Sequence, residues 1–302
     1  MPPCGPDAPA GGMKSRSLLF VPGDSPRKFE KAASCGADVL ILDLEDSVVP
    51  AKKLEARAHV ASLLDAPAVR DWSFVVRVNA LDTGLTLPDL AAVVRPGLDG
   101  ILLPKSNGLQ DVVQLGHYLD AFEARAGMEH GTVKILVVAT ETAAAMFTLG
   151  SYNPPHPRLA GLTWGAEDLS AAIGATSNKD DDGSWSFPYK IARAQCLFAA
   201  AAANVAPIDT LYVNFRDQAG LAEDCRISRR DGFTGRVAIH PDQVAVINAC
   251  FTPSDADVAL AQRIVEAFAA QPDAGTLGID GKMYDIPHLR AAQKTLAAAA
   301  IS

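Results

Sequence analysis

The sequence predicts a (β/α)8 TIM barrel followed by a C-terminal helical lid or arm. Three observations predict it: eight short apolar runs, helical segments between them, and charged residues after most of the runs. A chain of 302 residues is long enough for a barrel of about 250 residues with an appendage. A doubly wound open sheet fits the same alternation and is the alternative.

Each predicted strand is a short run rich in Leu, Ile and Val, and most of the runs are apolar throughout. Such runs are typical of parallel strands that helices bury on both faces. The predicted strands are Ser17–Val21, Asp38–Leu42, Phe74–Val78, Gly100–Leu103, Lys134–Val138, Ala160–Trp164, Thr210–Val213 and Arg236–Ile239.

The segments between the runs carry apolar residues on one helical face. The clearest predicted helices are Pro26–Ser34, Leu54–Leu64, Gln110–Ala126 and Tyr189–Asn204. Their alternation with the strands is the βα repeat that a parallel barrel requires.

About sixty residues follow the eighth run, which is more than a barrel needs to close. Ser254–Ala270 has an N-cap residue and helical apolar spacing, and an Ala-rich helix begins at His288. We divide the chain into a flexible N-terminal tail (1–14), the barrel (15–250) and a C-terminal helical extension (251–302).

Composition excludes several classes of protein. The net charge is −8 and there is no basic stripe, which argues against a nucleic-acid binder. No apolar run approaches the roughly 18 residues of a membrane span. The five cysteines are far apart, without a CxxC pair, and the Pro/Gly-rich start lacks a signal-peptide pattern. A cytoplasmic protein is predicted.

Charged residues cluster where the predicted strands end, which in a barrel is the catalytic end. Glu141 and Asp168 follow adjacent strands. Two carboxylates with water and substrate oxygens can form an octahedral Mg²⁺ site with open positions. Helix capping or surface exposure is the alternative for both.

Three basic residues are candidates for binding an anionic substrate. Arg77 lies inside an apolar strand, so it either pairs with Glu45 or Asp46 or clamps a substrate carboxylate or thioester oxygen. Arg27 and Lys31 share one face of the first predicted helix and can hold phosphates, or they form a solvated turn.

One acidic run has no clear functional pattern. Asp180–Asp182 lies in a long loop (residues 176–187), which we call the acidic loop. It lacks the alternating spacing and final Glu of a calcium loop, so a solvated loop is predicted.

These motifs together resemble the citrate lyase β-subunit-like proteins, in the superfamily of the malyl-CoA and citramalyl-CoA lyases. The resemblance extends from Arg16 to about Val246, and the tail resembles that of the stand-alone lyases. The motifs, in order, are RSLLFVPGDSPRKFEKAASCGADVLILDLEDSV, RVNALDTG, ILLPKS, ATETAAA, GAEDL, GRVAIHPDQ and GKMYDIPHLRAAQKTL.

The resemblance implies a barrel enzyme with Mg²⁺-dependent lyase or Claisen chemistry on acyl thioesters, assembled as a homotrimer or hexamer. It assigns Mg²⁺ to Glu141 and Asp168 and the substrate clamp to Arg77. It implies that Asp285 is the acid/base in a neighbouring subunit's site. The implied coenzyme A positions are Phe20, Arg27, Lys31, Ala238 and Ile239, and Glu45 and Asp46 support the metal waters or Arg77.

The implied substrates are a carboxylate-bearing 3-hydroxyacyl-CoA and a 2-oxo acid. Three alternatives remain: a lyase-complex β-subunit acting on a carrier-protein thioester, a metal-dependent pyruvate aldolase, and a non-catalytic barrel that binds a CoA ester.

Overall fold

Eight parallel strands form a closed barrel in the computed structural model, which describes residues 13–66 and 69–301. Each strand pairs with the next, and β8 pairs with β1. The predicted barrel is therefore confirmed and the open sheet is wrong. The strands are β1 (Ser17–Pro22), β2 (Val39–Asp43), β3 (Ser73–Arg77), β4 (Gly100–Leu103), β5 (Lys134–Val138), β6 (Leu159–Thr163), β7 (Ala206–Asp209) and β8 (Gly235–Ala238). The predicted tail lies, up to residue 12, outside the described residues.

Helices surround this barrel and cover the outer face of its strands. They are α1 (Pro26–Ala32), α2 (Lys53–Asp65), α3 (Thr86–Val93), α4 (Leu109–Ala126), α5 (Ala166–Ile173), α6 (Phe187–Ala202), α7 (Gln218–Asp231) and α8 (Val244–Phe251). Both α5 and α6 follow β6, and the acidic loop joins them.

The apolar core has two layers, because successive strand residues point to opposite faces. Val39 and Ile41 belong to a cluster inside the barrel, together with residues of the other strands. Leu40 and Leu42, which alternate with them, belong to the larger cluster between strands and helices. The near-continuous apolar runs of the sequence reflect this double burial.

The seventh strand differs from its prediction. Thr210–Val213 has higher β-propensity, yet the strand is Ala206–Asp209. In that register Ile208 pairs with Thr163 and Gly235, so the barrel closes. The Asp209 carboxylate at its end is buried and accepts hydrogen bonds from Trp164 Nε1 and Arg193.

The fifth unit also departs from the predicted repeat. Two 3₁₀ turns, Ala145–Phe147 and Leu149–Tyr152, follow β5 in place of an α-helix. Pro154 and Pro155 come next in the chain, where proline disfavours a helix. The remaining strand bounds agree with the predicted ones to within one residue.

The C-terminal residues form what we call the arm (residues 255–301). It consists of α9 (Asp255–Ala270), a hairpin of β9 (Thr276–Ile279) and β10 (Lys282–Asp285), and α10 (Ile286–Ile301). Ser254 caps α9 as predicted. The hairpin was not predicted, although its Asp280–Gly281 turn, with positive φ at both residues, carries a common hairpin signature.

One stretch of the described residues, Pro241–Ala270, is long and apolar enough by length and composition to cross a membrane. It comprises a 3₁₀ turn, α8 and α9, and residues 252–254 separate the two helices. In the structure α8 packs on α7, β1 and β8, and α9 packs on α10. Packing within the protein buries part of this stretch, namely Val244, Ile247, Phe251, Ala261, Ile264 and Phe268.

Candidate active site

The carboxyl ends of the strands surround a cavity of about 90 Å³. Active sites of TIM barrels lie at this end. Its charged lining residues are Arg77, Glu141, Glu167 and Asp168. The structure thus brings together three of the charged residues singled out from the sequence, and Phe20 lines the same cavity.

Glu141 follows β5 and is buried, with 5% of its surface exposed. The main-chain N–H of Lys105 donates to its Oε2 at 2.6 Å. Burial raises the pKa of Glu141 to about 8, and the charge of Asp168 acts in the same direction. A carboxylate in this position gains stability in its charged form from a nearby cation.

Asp168 lies in the first turn of α5, and the start of this helix packs closely against the Glu141 side chain. The helix begins after Gly165, and a Cβ at that glycine would lie 2.9 Å from Glu141 Cγ. Glycine is therefore required for this close packing. The Asp168 side chain is about one-third exposed.

The two carboxylates match the donor preference of Mg²⁺, which binds proteins through one or two carboxylates and keeps several waters. Among the described residues no group of three or more His, Cys, Asp or Glu side chains forms a ready-made metal cage. Glu141 and Asp168 thus fit a magnesium ion whose remaining positions are open to water and substrate.

Arg77 ends β3 and is fixed by Asp43 on β2, by Glu45 just after β2 and by Phe20 on β1. Its Nε and Nη2 donate to the two carboxylate oxygens of Asp43, both at 2.7 Å. Nη1 lies 3.2 Å from Glu45 Oε2, and the guanidinium carbon lies 4.7 Å from the centre of the Phe20 ring. Burial alone would lower the pKa of Arg77, but the Asp43 hydrogen bonds raise it.

Asp43 was not singled out from the sequence, although it directly follows the second predicted run. Its side chain is 2% exposed, and burial, which would raise its pKa, is outweighed by the hydrogen bond and charge of Arg77. The signal that could have found it is cross-strand: Asp43 and Arg77 are register partners.

Lys105 is a second residue that sequence analysis missed. Its Nζ lies 2.5 Å from Glu45 Oε1, 3.0 Å from Asp46 Oδ2 and 3.4 Å from Asp168 Oδ1. Its φ of 51° is unusual for a residue with a side chain, and such strain clusters at functional sites. Glu45 and Asp46 therefore contact Lys105, and Glu45 also contacts Arg77.

Thr163, at the end of β6, lines the cavity as well. Its Oγ1 is buried without a hydrogen-bond partner among the described residues. Buried hydroxyls normally have a partner, so this atom is suited to contact a bound molecule.

The residues expected to bind coenzyme A are spread around the mouth. Phe20 lines the cavity, whereas Arg27 and Lys31 are exposed on α1, past the carboxyl end of β1. Ala238 is buried at the end of β8, and Ile239 beside it is 38% exposed. The last four lie outside the cavity lining.

Asp285 lies in the arm and does not line the cavity of its own chain. Its Oδ1 lies 2.5 Å from His288 Nδ1 and also accepts the main-chain N–H of His288 at 3.4 Å, as a helix N-cap does. The hydrogen bond from His288 lowers the pKa of Asp285.

These features define a TIM-barrel enzyme. The catalytic end of the closed barrel holds a pair of carboxylates, an arginine fixed by hydrogen bonds and a buried hydroxyl without a partner among the described residues. Residues 16–241 match the HpcH/HpaI aldolase/citrate lyase family. The chain belongs to this family and is an enzyme of the lyase class. Residues 186–302 also match the C–C bond lyases of the TIM-barrel fold. The resemblance inferred from the motifs is thus confirmed.

Several curated relatives are similar over nearly the whole chain. A (3S)-malyl-CoA thioesterase of Cereibacter sphaeroides is 34% identical over 94% of both chains. The citrate lyase subunit beta of Haemophilus influenzae is 33% identical over 93% of this chain and 95% of its own. The L-malyl-CoA/beta-methylmalyl-CoA lyase of Rhodobacter capsulatus is 34% identical over 94% of both.

A solved structure is similar in fold and sequence. CitE from Mycobacterium tuberculosis, in complex with magnesium, acetoacetate and coenzyme A, has a TM-score of 0.75 and 32% identity. The similarity covers 95% of this chain and 98% of that one.

Proposed function

We propose that the protein is a Mg²⁺-dependent carbon–carbon lyase of the malyl-CoA or citramalyl-CoA type. Its substrate is a carboxylate-bearing 3-hydroxyacyl-CoA, and its products are a 2-oxo acid and an acyl-CoA. The observation that carries the proposal is the convergence of Glu141, Asp168 and Arg77 on one cavity at the catalytic end of the barrel.

Glu141 and Asp168 are the residues that would hold Mg²⁺. When bound, the ion supplies positive charge to the substrate's carboxylate and hydroxyl oxygens. Burial makes the negative charge of Glu141 costly, which its raised pKa of about 8 reflects. A bound cation would offset that cost, so this carboxylate is suited to hold the ion. The unpaired Thr163 hydroxyl is positioned to hydrogen-bond a substrate oxygen in the same cavity.

Arg77 is assigned to the thioester oxygen. In the cleavage, the hydroxyl proton passes to solvent and the O–H electron pair forms the 2-oxo group. The electron pair of the broken carbon–carbon bond remains in a thioester enolate. Negative charge therefore grows on the thioester oxygen, and a fixed cation stabilises it most at that stage. The paired hydrogen bonds from Arg77 to Asp43 hold the guanidinium in place before the substrate binds.

Asp285 is assigned to the enolate carbon, to which it delivers a proton that its carboxylate first takes up from solvent. In the condensing direction the same carboxylate removes a proton from acetyl-CoA. Because Asp285 does not line the cavity of its own chain, we propose that the arm of a second copy delivers it, within a trimer or hexamer.

The coenzyme A portion is assigned to the rim. Arg27 and Lys31 lie on one face of α1 and offer positive charge to phosphates. Because the net charge of the protein is −8, this local positive charge makes the rim the favoured place for an anionic group. Phe20 and the exposed Ile239 offer apolar contact between this rim and the cavity. Ala238 is fully buried between strands and helices, so its side chain can only support this surface from below.

Enolate exchange tests the proposal directly. The protein is incubated with acetyl-CoA and Mg²⁺ in D₂O, with and without an unreactive 2-oxo acid analogue, and the methyl signal is followed by NMR. We expect deuterium uptake, and a fall of at least about 100-fold in Asp168→Asn. Asp181→Asn, in the exposed part of the acidic loop, is the matched control. Absence of exchange with Mg²⁺ bound would overturn the proposal.

Two relatives favour other candidate functions. Similarity to the (3S)-malyl-CoA thioesterase favours thioester hydrolysis, and similarity to the citrate lyase subunit beta favours cleavage within a citrate lyase complex. Mass spectrometry of the products separates them. A lyase gives an acyl-CoA and a 2-oxo acid, whereas a thioesterase gives free CoA and a hydroxy diacid. A complex subunit turns over carrier-protein thioesters only, and a pyruvate aldolase needs no thioester.

A further inference from the structure

The acidic loop is a small ordered hairpin beside the cavity. Lys179 and Trp185 form an antiparallel bridge, and the N–H of Asp180 donates to the carbonyl of Ser184 at 2.8 Å. The carboxylates of the acidic run point to solvent, as predicted, since Asp180–Asp182 are exposed. The hairpin therefore turns its polar tip outward and its Trp185 inward.

The Trp185 indole is held from two sides. Its ring lies 5.0 Å from that of Trp164 in an edge-to-face arrangement, a geometry that aromatic pairs prefer. On another side, Lys179 Nζ lies 3.1 Å from its ring centre. Trp164 is itself fixed, because its Nε1 donates to the buried Asp209 at 2.6 Å. The position of the indole is thus determined by the barrel and not only by the loop.

The same indole lines the cavity that holds Glu141 and Asp168. Val138, Leu211 and Val237 supply other apolar parts of that lining. We propose that Trp185 is a specificity-determining residue, whose indole limits the length of the 2-oxo acid side chain that the site accepts. This inference rests on the proposed function and names the substrate class of that site: short 2-oxo acids.

The size of the cavity supports this limit. A cavity of about 150 Å³ holds benzene, which has six heavy atoms, so each heavy atom needs roughly 25 Å³. The cavity of about 90 Å³ therefore accommodates about four heavy atoms. Glyoxylate has five heavy atoms and pyruvate has six, so these two acids come closest to filling this space. A longer side chain would extend against the lining, of which the Trp185 indole is a part.

The test measures how affinity depends on side-chain length. Glyoxylate, pyruvate, 2-oxobutyrate and 2-oxopentanoate are titrated into the Mg²⁺-loaded protein by calorimetry, which requires no turnover. For Trp185→Ala we expect the affinity for 2-oxopentanoate, relative to glyoxylate, to rise at least about tenfold. For Trp185→Phe, which keeps a smaller ring, we expect this relative affinity to rise less.

Trp72→Phe is the matched control, because Trp72 packs on Phe29 and Phe74 away from the cavity. Lys179→Met keeps the indole but removes its cation, and should relax the length limit partially without the loss of a core ring. An unchanged ranking in both Trp185→Ala and Lys179→Met would overturn the inference.

Enolate exchange in the same proteins separates this inference from the proposed function. If the variants show deuterium exchange but the order of affinities by side-chain length is unchanged, only the proposed role of Trp185 is wrong. A changed ranking in proteins that show no exchange counts against lyase chemistry and supports the role of Trp185.

Discussion

Lys105 illustrates how a residue can act on a site through several neighbours. Its ammonium contacts Glu45, Asp46 and Asp168, while its main-chain N–H fixes Glu141. The charge partly neutralises a group of carboxylates that would otherwise repel one another. Because it lies 3.4 Å from Asp168, the same charge opposes a divalent cation at that carboxylate.

Replacing Lys105 by Met should therefore separate metal binding from turnover. We expect Mg²⁺ to bind several-fold more tightly, because a positive charge beside Asp168 is removed. Turnover should fall about tenfold or more, because Glu45 loses one of the cations that hold it beside Arg77. Calorimetric titration with Mg²⁺ and steady-state kinetics measure the two effects.

Lys52→Met is the control, because Lys52 is half exposed and pairs only loosely with Asp24, at 3.7 Å. Weaker or unchanged Mg²⁺ binding in Lys105→Met would show that its ammonium does not oppose the metal.

At the residue scale the sequence identifies the charged groups but not their partners. Glu141 and Asp168 are recognisable because each follows an apolar run within four residues, and Arg77 because it is a charge inside such a run. Asp43, Lys105 and Thr163 depend on contacts between different strand ends, which no local pattern encodes. Asp43 contacts Arg77 across the register of two strands, and Lys105 reaches three carboxylates far away in the chain.

Among the elements, strands were easier to predict than their surroundings. Double burial produces apolar runs that mark seven strands to within one residue at either end. The seventh strand was misplaced because Pro207 and Asp209 lower its local propensity, while closure of the barrel determines its register. Tertiary context overrides local preference there. The missing helix after β5 has a local cause instead, because Pro154 and Pro155 disfavour a helix.

Helix α4 shows how one buried carboxylate connects elements. Glu123 on α4 accepts hydrogen bonds from the N–H groups of Gly131 and Val133 and from Arg158. Its side chain is 1% exposed. Burial would raise the pKa of Glu123, but Arg158 and the two N–H groups lower it below its ordinary value of 4.5.

Glu123→Gln should destabilise the protein in a pH-dependent manner. A carboxylate whose pKa is lowered on folding stabilises the protein above its unfolded pKa, and this contribution is lost as pH falls through the folded value. We expect the free energy of unfolding at pH 7 to be about 2–4 kcal/mol lower in the variant than in the wild type. This difference should become smaller below about pH 4.5.

Urea unfolding at pH 7 and pH 3.5 measures this difference. Glu129→Gln, at an exposed position near the end of the same helix, is the control. A difference that is equal at both pH values would mean that the charge of Glu123 contributes nothing.

At the scale of the whole molecule the arm is a separate packing unit. Its own small core contains Ala261, Ile264, Phe268 and Ala292, distinct from the two apolar clusters of the barrel. Asp285 sits at the junction of its hairpin and α10. An arm built in this way can dock on another copy without disturbing the barrel of its own chain.

Mixed oligomers test whether Asp285 acts on another copy. Homomers of Asp285→Asn and of Glu141→Gln should each lose activity, because each lacks one part of every site. If the arm acts on its own barrel, co-assembling the two variants restores nothing. If it acts on a neighbour, an Asp285→Asn barrel can receive an intact arm from a Glu141→Gln chain.

Random 1:1 assembly then gives about one half times one half, or about a quarter, of the sites with both parts intact. Activity after co-expression with two affinity tags, relative to wild type, measures this fraction. Each variant assembled only with itself is the control for residual activity. Recovery near a quarter requires an arm that crosses between copies, because no single chain in the mixture carries both Glu141 and Asp285.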